Sequence, residues 1–180
     1  MKKYLSISNT LILISLIFTI LKYIFPWIII FGINNYFYNK WDYLIYFIQF
    51  FTWTFLHEWV LHFFMNSFFV WFFGNQLETY IWRKKYLIFF ITTTIFLWLL
   101  ITNLTNWNTI WISWFAMALL TYYTLILYKI WNPEYKWGIT AIILNIWIWI
   151  VPWISLTWHL WWSIYWIIFY LITKNNKKYL

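Results

Sequence analysis

Apolar residues run almost without interruption along this chain, and polar residues break the run at intervals that a bilayer sets. Stretches close to the roughly 20 apolar residues that a helix needs to cross a hydrocarbon core recur along it. They fall at 5–25, 56–77, 86–102, 110–128, 137–153 and 156–173. Pro26 ends the first of them, because a proline cannot continue a helix. The segment 27–55 is too long for a tight turn, and it is aromatic, apolar and poor in charge. Such a segment suits a loop that lies in the membrane interface or dips into the bilayer. The pattern predicts an all-α polytopic membrane protein, residues 1–180 forming a single membrane domain of six transmembrane helices and one interfacial loop.

Composition removes the alternatives. Hydrophobic residues make up 65% of the chain and charged residues 9%, too few to cover a soluble domain of 180 residues. The net charge of +8 invites a nucleic-acid reading, but its distribution argues against one. Ten of the 12 basic residues fall on the two tails and on the 78–85 and 129–136 loops, which six spans put on one side. That asymmetry marks the side as cytoplasmic, with both termini there. Lys40 lies in the first outer loop, and Lys22 near the outer end of helix 1 can snorkel. Lys2 and Lys3 precede an apolar stretch, yet no small-residue cleavage site follows, so the stretch reads as a retained first span. Cysteine is absent, which removes disulfides, thiol catalysis and cysteine metal sites.

Six spans bring polar residues to a common depth. Helices 2, 4 and 6 all start in the outer leaflet, where His57, His62 and Asn66 (helix 2), Ser113 (helix 4) and His159 (helix 6) gather. Polar side chains inside spans are costly and face a bundle interior or a wet cavity. A serine and a histidine are the minimum for acyl transfer, the histidine taking the hydroxyl proton and returning it to the leaving amine. His62 and Asn66, four residues apart, share a helix face and can donate hydrogen bonds to an oxyanion. Each of these residues also has a plainer reading, as a packing serine bonded to its own main chain or a satisfied polar spot. His57-Glu58-x-x-x-His62 resembles a zinc-protease motif, but a five-residue spacing puts the histidines about 140° apart on a helix, so no metal is expected.

The stretch Phe55-Leu-His57-Glu-Trp-Val-Leu-His62-Phe-Phe-Met-Asn66, continuing through Gly74-Asn-Gln-Leu77-Glu78, resembles the second helix of the rhomboid family. Trp111-Ile-Ser113-Trp114 resembles that family's Gly-x-Ser-Gly, and Trp158-His159-Leu-Trp-Trp162 its Gly/Ala-His-x-x-Gly. The resemblance covers roughly residues 50–173. It implies an intramembrane serine endopeptidase with Ser113 as nucleophile and His159 as general base. His62 and Asn66, with Ser113 itself, would form the oxyanion site, and His57, Gly74 and Glu78 would be structural. No cofactor is implied. The implied partners are single-span membrane protein substrates and the surrounding lipid, in a bacterial-type plasma membrane. Met117 stands where many relatives carry an aromatic residue, and a thioether can still pack on an imidazole.

One departure is systematic. The chain has 19 Trp and 3 Gly, whereas membrane helices favour glycine for close approach. Trp111, Trp114, Trp158 and Trp162 stand at glycine positions of the family, Trp162 and Trp166 replace a Gly-x-x-x-Gly contact face, and glycine is also common at Trp82. Indoles at 114, 162 and 166 would hold helices 4 and 6 apart. The expectation is a gene whose UGA codons mean glycine and have been rendered as tryptophan. An interfacial aromatic belt is the plainer account. If the indoles are real, an inactive rhomboid-like binder or chaperone of membrane proteins becomes the leading alternative. A small transporter ranks lower, because few polar residues line the inner halves of helices 2, 4 and 6.

Overall fold

Ser6 opens the first helix by accepting a hydrogen bond from the Asn9 N–H at 3.1 Å, which satisfies one of the free donors at a helix start. Helix α1 then runs Ile7–Ile24, buries Ser8, Leu11, Ser15 and Thr19 along one face, and leaves Leu13, Leu16, Ile17 and Ile20 exposed. Small polar residues inside and large apolar ones outside are the arrangement of a span that faces lipid. The computed structural model describes residues 5–104, 113–150, 167, 168, 170 and 171. Every regular element among them is helical, and two helices, Ile7–Ile24 and Arg83–Asn103, are long and apolar enough to cross a membrane. Most of the span expected at 156–173 lies outside the described residues.

The chain divides into two units, Met1–Ala116 and Met117–Leu180. In the first, the expected interfacial loop is built from short helices: a 3-10 turn at Pro26–Phe31, α2 at Tyr36–Asn39, α3 at Tyr43–Thr52 and a second 3-10 turn at Trp53–Phe55. Asp42 caps α3 by accepting from Ile45 N–H at 3.3 Å. Gln49 donates to Ile30 O at 2.9 Å and Thr52 to Phe31 O at 2.8 Å, tying α3 back to the first turn.

The next helix starts later than the sequence suggests. Residues 56–59 leave helical geometry, α4 begins at Val60 and runs to Phe69, a π-helical turn covers Val70–Gly74, and α5 completes the rod at Asn75–Ile81. The buried face, Phe63, Asn66, Val70, Gly74, Leu77 and Ile81, stays continuous through the π turn. Helix α6, Arg83–Leu104, follows after one residue, so the expected 78–85 loop is almost wholly helical. Its Trp98 ring lies 4.9 Å from Tyr46 and 5.2 Å from Phe50, which fastens α3 to it.

At one end of this unit Ser8 Oγ donates to Tyr86 Oη at 2.8 Å, directly over Gly74. A Cβ at Gly74 would sit 2.5 Å from both hydroxyl oxygens. Gly74→Ala is therefore expected to lower unfolding free energy by about 1–3 kcal/mol through overpacking. Detergent unfolding checks this, and adding Ser8→Ala should recover part of the loss.

Helix α7, Ser113–Lys129, spans the unit boundary and is buried without interruption from Trp114 to Tyr122. In the second unit α8, Tyr135–Ile150, passes so close to α7 that a Cβ on Gly138 would meet Thr124 Oγ1 at 2.1 Å. Tyr128 and Tyr135 rings, 5.2 Å apart, close the turn between them.

Candidate functional site

The non-helical stretch before α4 is pinned by α1. Lys22 Nζ donates to the carbonyl oxygens of His57, at 3.1 Å, and Glu58. The ammonium expected to snorkel thus ties down the 57–58 backbone. His57 is fully buried beneath it. Its Nδ1 lies 3.2 Å from Phe55 O and 3.3 Å from Thr19 Oγ1. A carbonyl can only accept, and the Thr19 hydroxyl already donates to Ser15 O at 2.7 Å, so the Nδ1 of neutral His57 carries the proton. Its Nε2 is then an acceptor, buried and without a hydrogen-bond partner among the described residues.

His57 also meets His62 edge to face, with ring centroids 5.6 Å apart, and packs on Phe63 at 5.3 Å. One turn along from the half-buried His62, Asn66 is buried at 6% exposure, and its Nδ2 has no hydrogen-bond partner among the described residues. A buried amide left without an acceptor costs about 1–3 kcal/mol. Helix α4 therefore carries an imidazole and an amide donor on one face, backed by a second, rigidly held imidazole.

Ser113 is the first residue of α7 and is half-buried. Phe115, two residues on, lies 4.9 Å from Phe90 and 5.8 Å from both Tyr86 and Phe89, which seats the first turn of α7 against α6. Trp114 is buried at 4% and Met117 at 6%. His159, Trp111, Trp158, Trp162 and Trp166 lie outside the described residues, so the serine and its expected base are not brought together within them.

At the far end of the α4–α5 rod Glu78 takes a structural position. Its Oε2 accepts from Ile7 N–H at 2.8 Å and its Oε1 from the same donor at 3.1 Å. Ser8 N–H adds a bond at 3.4 Å, and Arg83 Nε stands 3.9 Å away. A carboxylate at the start of α1 satisfies free N–H groups and complements the helix dipole. Sequence reasoning missed Ser8, Thr19, the bonds that Lys22 makes, and Tyr86. Ser8, Thr19 and Lys22 share one face of α1 with Leu11 and Ser15, a spacing that the sequence carries openly. No group of three or more His, Cys, Asp or Glu side chains that could hold a metal occurs among the described residues.

The family model of the Rhomboid domain matches residues 45–173, well over half of the chain and a range that contains His57, His62, Asn66, Glu78, Ser113 and His159. No curated protein and no solved structure matches the chain.

Proposed function

The chain belongs to the rhomboid family, and from that premise we propose that it is an intramembrane serine endopeptidase that cuts transmembrane segments. Ser113 Oγ attacks the scissile carbonyl carbon while His159 takes its proton. The C–N bond then breaks, His159 returns the proton to the leaving amine, and an acyl-enzyme remains. Water, activated by the same histidine, hydrolyses the ester and frees Ser113. His62 and Asn66 donate hydrogen bonds to the oxyanion of each tetrahedral intermediate.

The observation that supports this most is the Asn66 amide, buried with no acceptor among the described residues and one turn from His62. Such a donor suits an acceptor that appears only when substrate reacts. His57 supports the site from behind, its ring against His62. Six spans with both termini in the cytoplasm would put the site in the outer leaflet of a plasma membrane, open to the water that deacylation requires. Substrates would be single-span membrane proteins, locally unwound and admitted between helices.

Buried Trp114 favours a second reading, because an indole beside Ser113 takes up room where helices must close. In that reading the chain binds membrane proteins without cutting them. Reconstitution in liposomes with a single-span reporter separates the two. The protease reading expects a cut inside the reporter's membrane segment that persists in chelator. Stable capture of an intact reporter by a folded chain, with glycine at 111, 114, 158, 162 and 166, would favour the binder.

A further inference from the structure

Among the described residues, three other than glycine hold a positive φ, and all three are tryptophans: Trp41 at 60°, Trp82 at 70° and Trp131 at 55°. Tryptophan supplies 19 of 180 residues, so composition alone does not put it at every such position. Steric chemistry would put it at none. In the left-handed region Cβ crowds the following carbonyl oxygen, and a bulky residue there is an outlier. Glycine, lacking Cβ, enters the region freely. Yet no described glycine uses it.

Local hydrogen bonds show what each position does. After α2, Trp41 N–H donates to Tyr38 O at 3.1 Å and Asp42 N–H to Phe37 O at 2.9 Å. After α7, Trp131 N–H donates to Tyr128 O at 3.1 Å and Asn132 N–H to Leu127 O at 3.0 Å. Both pairs are the bonding of a Schellman helix end, whose left-handed residue is usually glycine. Trp82 turns α5 into α6 by itself, at φ 70° and ψ 143°, bordering a region that is essentially glycine's alone. The indoles are 78%, 60% and 81% exposed at 41, 82 and 131, and the ring contacts of Trp41 with Tyr43 and of Trp131 with Tyr128 are local to the turn, so burial offsets little of the cost. An aromatic belt at the membrane surface accounts for an exposed indole but is indifferent to the sign of φ.

We infer that positions 41, 82 and 131 are glycine in the protein as its own cell makes it, tryptophan being written there for a UGA codon that the cell reads as glycine. The inference is independent of proteolysis. It reaches Trp41 and Trp131 from the backbone, with no reference to a family motif. The reassigned codon then supplies the chain's helix stops as well as its helix contacts.

Peptide mass mapping of the protein purified from its native cells tests this directly. Glycine is expected at all three positions, and tryptophan at any one overturns the inference. A second measurement needs no native source. In the full-length recombinant chain, Trp41→Gly, Trp82→Gly and Trp131→Gly are each expected to shift the unfolding equilibrium about tenfold toward the folded form. Trp98→Gly, a right-handed position whose ring packs on Tyr46 and Phe50, is expected to shift it the other way. Destabilisation by the three turn substitutions, like that by Trp98→Gly, would overturn the inference.

Discussion

Ser113→Ala is expected to reduce cleavage of a membrane-embedded reporter by about 10⁴-fold or more, the scale on which a serine hydrolase loses its nucleophile. The comparison belongs in a chain with glycine at 111, 114, 158, 162 and 166, where the proposed mechanism needs Ser113 and His159 to come within hydrogen-bond reach. The change removes one hydroxyl from a half-buried side chain at the start of α7. The first turn of that helix is held by Phe115 against Phe90, at 4.9 Å, and does not depend on Ser113. Unfolding should therefore stay within about 0.5 kcal/mol of the parent. Timed gel analysis of reporter cleavage gives the rate, and detergent unfolding gives the stability. Retained cleavage would assign the chemistry to another residue.

Asn66→Ala is the second large effect, a loss of about 10²–10³-fold in turnover, as expected for one oxyanion donor. A purely structural asparagine would behave differently. Removing a buried, satisfied amide strands its partner and costs stability, whereas Asn66 Nδ2 has no partner among the described residues to strand. Activity should thus fall while stability changes by about 1 kcal/mol or less. Asn66→Asp keeps the shape but sets a carboxylate opposite the oxyanion, and should be at least as damaging. Parallel falls in activity and stability would make Asn66 a packing residue.

Much of this was legible because a bilayer makes polar residues expensive. His57, His62 and Asn66 stand out in an apolar sequence, and four-residue spacing alone puts His62 and Asn66 on one face. The Glu78 position was legible only as a helix end. Its bonds to Ile7 and Ser8 join residues some seventy positions apart, which no local pattern reports. Hydropathy placed helix from 56, because it registers apolar character and not backbone geometry. The break at 56–59 depends on Lys22 reaching the carbonyls of His57 and Glu58, a tertiary contact. The π turn at Val70–Gly74 left no mark in hydropathy either. The short helices of 27–55 were hidden by their length, although Asp42 three residues before Ile45 is a cap signal. The left-handed turns at 41, 82 and 131 were illegible for a chemical reason, although 82 and 131 fall in loops that hydropathy places. The residue that normally announces such a turn is glycine, and the sequence shows tryptophan.

That substitution links the fold to the proposed chemistry. With indoles at the turns and contacts, the backbone carries left-handed tryptophans and a buried indole stands next to Ser113. With glycine there, helix ends relax and the close approach of Ser113 and His159 that the proposed mechanism requires becomes possible. Labelling by a fluorophosphonate probe, which reacts with an activated serine, tests the central claim most directly. Three full-length chains are compared: the chain as written, the version with glycine at 111, 114, 158, 162 and 166, and that version carrying Ser113→Ala. Labelling of the glycine version that disappears with Ser113→Ala is the expected result. A folded glycine version that takes no label, or that keeps its label without Ser113, would contradict it.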